Sequence, residues 1–139
     1  MKQFIVSLYA RSRTLDLDRI TRLLGVEPTG GHRRGDLSEL GTYSYLDTYW
    51  WIGSGVGDEA TMEAHAESLV ALLAPLVPEV VESTGSRKLD LSIGVGIMYD
   101  TYTTSVRLPA DLVAFAARVG AGFEVSSYPT EFDEVESQP

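Results

Sequence analysis

The stretch Lys88–Met98, KLDLSIGVGIM, limits the possible folds more than any other part of the chain. Leu89, Leu91, Ile93, Val95 and Ile97 alternate there with Asp90, Ser92, Gly94, Gly96 and Met98. Successive side chains of a strand point to opposite faces, so this segment reads as a strand with one aliphatic face and one small or polar face. Such a strand packs one face on helices and leaves the other open or lightly covered. The rest of the chain must then supply a helical layer and the neighbouring strands.

Gln3–Tyr9 (QFIVSLY) reads as the first strand, with Arg11, Ser12 and Arg13 as its polar exit. A helix is expected from Asp16 to Leu24, capped by Asp16 or Thr14, with Leu17, Ile20, Leu23 and Leu24 as its apolar stripe. Gly25 and Pro28 stop it. Glu27–Gly41 reads as a long loop, and Thr42–Ile52 as an aromatic second strand. Gly53–Asp58 is a glycine-rich turn. The longest helix is expected over Glu59–Ala74, with Asp58 as its cap and Pro75 and Pro78 ending it. Glu79–Arg87 then connects to the strand described first. Pro109 opens a third helix, Gly120 ends it, and Phe123–Tyr128 is the last strand.

The expected order is β-α-β-α-β-α-β, which by alternation alone suggests a parallel doubly wound sheet. The one-faced strands at Leu89 and Phe123 argue against that, because doubly wound strands are apolar on both faces. So does the two-residue link Ala121–Gly122. The expectation is an α+β sandwich related to ferredoxin-like folds: a mostly antiparallel four-stranded sheet with three helices on one face. Residues 1–129 read as a single domain and residues 130–139 as an acidic, frayed tail.

Charge and composition narrow the function classes. The net charge is −9, from 20 acids against 11 bases. That disfavours nucleic acid and anionic membrane surfaces, which attract basic proteins. The absence of cysteine excludes disulfides, thiolate metal sites and a cysteine nucleophile. The N-terminal MKQFIVSLYARSR lacks the apolar core and cleavage site of a signal peptide, and no apolar run nears the ~18 residues that span a bilayer. A cytoplasmic location is expected.

Few residues point to chemistry. His32, Arg33 and Arg34 form the densest basic cluster, and the segment from them to Asp36 could grip an anion, since arginine forks match carboxylate or phosphate. The competing reading is a solvated loop whose arginines pair with local acids. Gly53-Ser54-Gly55-Val56-Gly57 sits where a dinucleotide fingerprint would, but its sixth position is Asp58, whose charge repels phosphate. With only His32 and His65, a zinc site would need carboxylates from several segments. No cofactor or metal is expected. Trp50 and Trp51 point to opposite faces of one strand, so one belongs to the core and the other to the open face or an edge. An exposed tryptophan among Tyr43, Tyr45 and Tyr49 would make an interaction anchor; the competing reading is that loops cover both tryptophans. Gly94 and Gly96 share a strand face, which suggests that something large packs over them: a loop, a neighbouring aromatic or a partner.

The assembled pattern resembles a bacterial family catalogued as domain of unknown function 4279. The matching pieces are LDLDRITRLLGVEPTGGHRRGD at Leu15–Asp36, the strand bearing Trp50 and Trp51, HAESLVALLAPL at His65–Leu76, LSIGVGI at Leu91–Ile97 and LPADLVAFAARVGAGFEVSSY at Leu108–Tyr128. The resemblance implies a small bacterial cytosolic protein and brings no activity, cofactor or catalytic residue with it.

The expected function is a non-enzymatic protein-interaction module. Its partner would be a second copy, or a basic protein neutralised as a toxin is by its immunity protein. The alternatives are a module that binds a small anionic ligand or peptide through Arg33–Asp36 with Trp50 or Trp51, and an enzyme of unknown class.

Overall fold

The computed structural model describes residues 2–74, 77–100 and 104–130. The elements are β1 (Lys2–Ser12), α1 (Leu17–Leu24), β2 (Gly30–His32), β3 (Thr48–Gly53), α2 (Met62–Leu73), α3 (Val77–Gly85), β4 (Asp90–Tyr99), α4 (Ala110–Val119) and β5 (Gly122–Pro129). The class is α+β, with a five-stranded mixed sheet in the order β2-β3-β1-β4-β5. β1 lies at the centre and runs antiparallel to both β3 and β4. β2 is antiparallel to β3. β1, β2 and β3 form a split unit, in which the strand that follows β2 is inserted between β1 and β2.

The alternation first read in Lys88–Met98 organises the core. Leu91, Ile93, Val95 and Ile97 are all buried, as are Val6, Leu8 and Ala10 on β1 and Trp50 and Ile52 on β3. Register places these residues on one face, and α1 and α2 pack there on β3 and β1. α4 completes the layer against α2 and α3. Full burial of each such aliphatic side chain is worth roughly 1.5–3 kcal/mol. Local signals set the helix ends. The Asp16 carboxylate accepts from the Arg19 amide at 2.8 Å, and Gly25 and Gly120 close α1 and α4 at φ 70° and 72°.

The structure corrects the expected architecture in several places. Among the described residues there are five strands and four helices rather than four and three. Val77–Gly85, expected as a connector, is α3. Pro78 stands in its first turn, where a missing N–H leaves no bond unmade, so it opens a helix as well as following one. Thr61, not Asp58, caps α2, accepting from the Ala64 amide at 3.1 Å. Gly-Gly-His has no strand propensity, so the sequence reads β2 as loop; its pairing with β3 makes it a strand. β3 begins at Thr48, six residues later than expected.

The pairing of β4 with β5 is parallel, the exception among four pairings in a sheet expected to be mostly antiparallel. The chain from β4 through α4 to β5 is a crossover, and a short helix-to-strand link is ordinary in such a unit. Pro75 and the tail beyond Thr130 lie outside the described residues.

Candidate functional site

All helical packing is on one face, so the other face of the sheet is left to side chains alone. Ile5, Tyr9 and Arg11 of β1, Tyr49 and Trp51 of β3, Ser92, Gly94 and Gly96 of β4, and Glu124, Ser126 and Tyr128 of β5 project there by register. Most of them line a trough of ≈ 430 Å³. A second concavity of ≈ 340 Å³ adjoins it, bounded by Arg11, His32, Tyr45, Leu46, Asp47 and Tyr49. The two share Arg11 and Tyr49 and so form one furrow across the open face.

A strip of rings follows this furrow. Tyr9 stacks on Tyr49 with ring centroids 5.8 Å apart and meets Trp51 at 6.4 Å. His32 lies 5.3 Å from Tyr49 and stacks on Tyr45 at 3.5 Å, and Tyr43 meets Tyr45 edge-on at 5.5 Å. Burial is the main cause that raises the Tyr49 phenol above its ordinary pKa, followed by the neighbouring Tyr9, so this ring stays neutral at physiological pH. Burial lowers the His32 pKa, and Asp36 opposes that shift.

Of the two glycines expected to lie beneath something large, Gly94 does so and Gly96 does not. A side chain at Gly94 would collide with the Tyr9 ring, so the cover is an aromatic from the neighbouring strand. Gly96 has ordinary clearance to Ile5 and Tyr128 and forms the open floor.

Beyond β2 the chain rises into an arm, residues 33–47, which the sequence had divided between loop and strand. It is a short hairpin. The Gly35 amide donates to the Tyr45 carbonyl at 2.8 Å, Tyr45 to Asp36 at 2.9 Å and Ser38 to Tyr43 at 2.8 Å, with a Leu37–Ser44 bridge between. Buried Ser38 locks the tip. Its hydroxyl oxygen accepts from the Thr42 and Tyr43 amides, and its carbonyl accepts from the Gly41 amide at 2.8 Å. Gly41 takes φ 68°, a left-handed turn that glycine adopts without strain.

This ordered arm displays Leu37, Leu40, Tyr43 and Leu46 to solvent, with Leu40 86% exposed, Leu46 75% and Leu37 67%. Four of the ten exposed large hydrophobics among the described residues thus fall within ten positions.

The expected site residues separate into three groups. His32, Trp51, Gly94 and Gly96 come together on the open face. Arg33, Arg34 and Asp36 brace the arm root. The Arg33 amide donates to the Asp36 carboxylate at 2.8 Å, and its guanidinium reaches Asp18 at 3.5 Å. Arg34 donates to the Arg13 carbonyl at 2.9 Å, and Arg13 pairs with Asp47 at 3.2 Å. Trp50 is core, with its indole N–H donating to the Thr21 hydroxyl at 3.1 Å.

Sequence reasoning passed over Tyr9, Arg11, Glu124 and Tyr128. Arg11 was read as an exit residue, yet β1 continues to Ser12 and the period of two carries Arg11 onto the open face. No hydrogen bond or ion pair holds its guanidinium among the described residues, although Asp90 stands opposite it in register.

His65 and Ser54 form a separate pair, Oγ to Nδ1 at 2.6 Å, both buried. Ser68 donates to the Ser54 carbonyl, so the pair fastens the turn after β3 to α2. Its burial, away from the furrow, makes it a structural link rather than a nucleophile. Burial lowers the His65 pKa, with Asp58 opposing. A depressed folded pKa means that the unfolded chain takes up the proton first as pH falls below about 6.5. Stability is therefore full above that pH and declines as pH falls toward the folded value. The expected result is a thermal midpoint that drops between neutral and mildly acidic pH, with a shallower drop in His65→Gln, which keeps a polar partner for Ser54. An unchanged slope in that variant would remove His65 from this role.

Among the described residues no group of His, Asp and Glu is placed to hold a metal ion, and no single helix is long and apolar enough to cross a membrane. A family model described as Domain of unknown function (DUF4279) matches residues 2–130. No curated protein and no solved structure matches the chain.

Proposed function

The chain belongs to the DUF4279 family, and on that premise we propose that it is a recognition module that docks a protein partner through its arm and the adjoining open sheet face. One observation carries the reading: Leu37, Leu40, Tyr43 and Leu46 are exposed on a hairpin that hydrogen bonds hold in one shape. Exposed apolar clusters of this kind mark interaction sites on soluble proteins. Order without burial lowers the entropy lost on docking, because the tip is already set in its bound conformation. The arm carries Arg33 and Arg34 beside Asp36, Glu39 and Asp47, with Asp47 paired to Arg13, so a matching surface is chiefly an apolar hollow. The arginines of the basic cluster favour this reading over an anion grip, because their contacts fasten the arm.

The test is recovery of partners from lysate of the source organism on wild-type chain and on Leu40→Asp with Leu46→Asp. Both side chains are exposed, so the double variant should keep the wild-type thermal midpoint. Charging two anchors should weaken the docked complex by about a hundredfold or more. At least one protein, the chain itself included, should therefore be retained by the wild type and lost by the variant. Identical recovery on both would refute the reading.

A further inference from the structure

We propose that the free edge of β5 pairs with β5 of a second copy, antiparallel about a two-fold axis normal to the sheet, so that the two sheets join into one. This edge is the opposite end of the sheet from β2 and the arm, and the proposal stands apart from the recognition reading above. An end strand leaves the backbone N–H and C=O of every second residue without a strand partner. The two ends of this sheet differ. β2 is 3 residues long and passes directly into the arm. β5 is 8 residues long and pairs with β4 without a bulge from Gly122 to Pro129. Edges of that length are normally guarded by lysine, a bulge or an internal proline. β5 has none of these: its only charge is Glu124, and its only proline, Pro129, is its last residue. It is also bare above and below. Every residue except Phe123 is exposed, and Val125 is 49% exposed on the side where the helices pack. A sheet that continues past β5 accounts for a strand left open along its edge and on both faces.

Unpaired backbone selects an extended segment, and the side chains of β5 select β5 itself. Residues directly opposite in an antiparallel pair lie on the same face. A two-fold centred on Val125 sets Val125 against Val125, Glu124 against Ser126, Phe123 against Ser127 and Tyr128 against Gly122. The central pair is apolar, and no two charges stand directly opposite. Tyr128 leans over Gly96 of its own β4, and a Cβ at Gly122 would meet nothing within 4 Å, so the copies approach without a clash there. Centring on Ser126 instead would set Val125 against Ser127 and lose the apolar pair. With the axis normal to the sheet, both helical layers stay on one side, and each Val125 gains a neighbour on that side. The contact is isologous, as a two-fold pair of identical chains requires.

An edge of this length, roughly 26 Å by about 10 Å, covers only about 260 Å² per partner before side chains are counted. That is well below the roughly 800 Å² of a standard interface, so the dimer is a reversible one. The net charge of −9 on each copy also opposes it. At physiological salt, screening over about 8 Å damps that overall repulsion while directly opposed side chains still feel each other.

The experiment is sedimentation equilibrium over a concentration series at physiological salt. It compares the wild type, Val125→Lys, Val125→Glu, an equal mixture of those two variants, and the arm variant Leu40→Asp with Leu46→Asp. The wild type should fit a monomer–dimer equilibrium. Each Val125 variant alone should weaken it by about tenfold or more at an unchanged thermal midpoint, because like charges then stand directly opposite. The mixture should recover association as a heterodimer, and the arm variant should dimerise as the wild type does. A wild type that stays monomeric at high concentration would overturn the proposal. So would a dimer that both Val125 variants leave intact, or a mixture that associates no better than its parts. None of these results decides the recognition reading, which stands or falls on partner capture by the arm.

Discussion

Trp50→Ala should destabilise the fold by about 3–5 kcal/mol, the range for removing a buried tryptophan side chain. Trp50 is 0% exposed, and its indole N–H donates to the Thr21 hydroxyl, which in turn donates to the Leu17 carbonyl. The substitution leaves a cavity between β3 and α1 and removes the bond that fixes their spacing. Typical domains have only about 5–15 kcal/mol in total, so a large fraction of the stability goes. Trp50→Phe keeps most of the volume and should cost much less. Urea unfolding of the three proteins measures both differences. A loss below about 1 kcal/mol for the alanine variant would mean that Trp50 does not hold α1 to the sheet.

Gly31→Val is the second large effect, and it acts on the site as well as on stability. A side chain at Gly31 would run into the Tyr49 carbonyl oxygen and stand 3.1 Å from Leu17 Cδ1 and 3.3 Å from Trp50 Cα. The Tyr49 backbone cannot retreat, because β3 is held on its other side by β1. Strand β2 must therefore leave β3, at a cost of about 1–3 kcal/mol or more for the overpacked contact. His32 leaves the ring strip with it, and the arm loses its root. Gly30→Ala provides the contrast. Its new methyl meets the indole of Trp51 at 2.7 Å, and a half-buried side chain can swing aside. The Gly30 variant should shift tryptophan fluorescence with little loss of stability, whereas the Gly31 variant should lose stability and partner binding together. Equal stability in the two would contradict the assigned clash.

The division between legible and illegible features follows the range of the forces involved. β4 was legible because a period of two over Leu89–Ile97 is a local pattern, and one buried face enforces it. Gly25 and Gly120 were legible because a left-handed helix stop selects for glycine locally. The opposition of Trp50 and Trp51 was also local, but which of them is core depends on where the helices lie. β2 and the sense of β5 were not legible. A Gly-Gly-His strand exists only through its partner, and parallel pairing is set by the crossover through α4. The arm was hidden for a similar reason. Its leucines look like any loop residues in the sequence, and only the Ser38 lock shows that they are displayed on a fixed frame. The basic cluster looked like a ligand grip because its targets, Asp18 and the Arg13 carbonyl, are remote in sequence.

The central claim is that the arm is a docking element set in shape before any partner arrives. Amide hydrogen exchange on the free chain, at concentrations low enough to keep it dilute, tests this most directly. The amides of Gly35, Ser38, Gly41 and Tyr45 all donate within the arm. The prediction is that they exchange well below the rate of an unstructured chain, and that Ser38→Ala speeds Thr42 and Tyr43, whose amides donate to the lost hydroxyl, selectively. Exchange at the unstructured rate throughout 33–47 in the wild type would contradict the account, since Leu40 and Leu46 would then sit on a loose loop rather than on a prepared anchor.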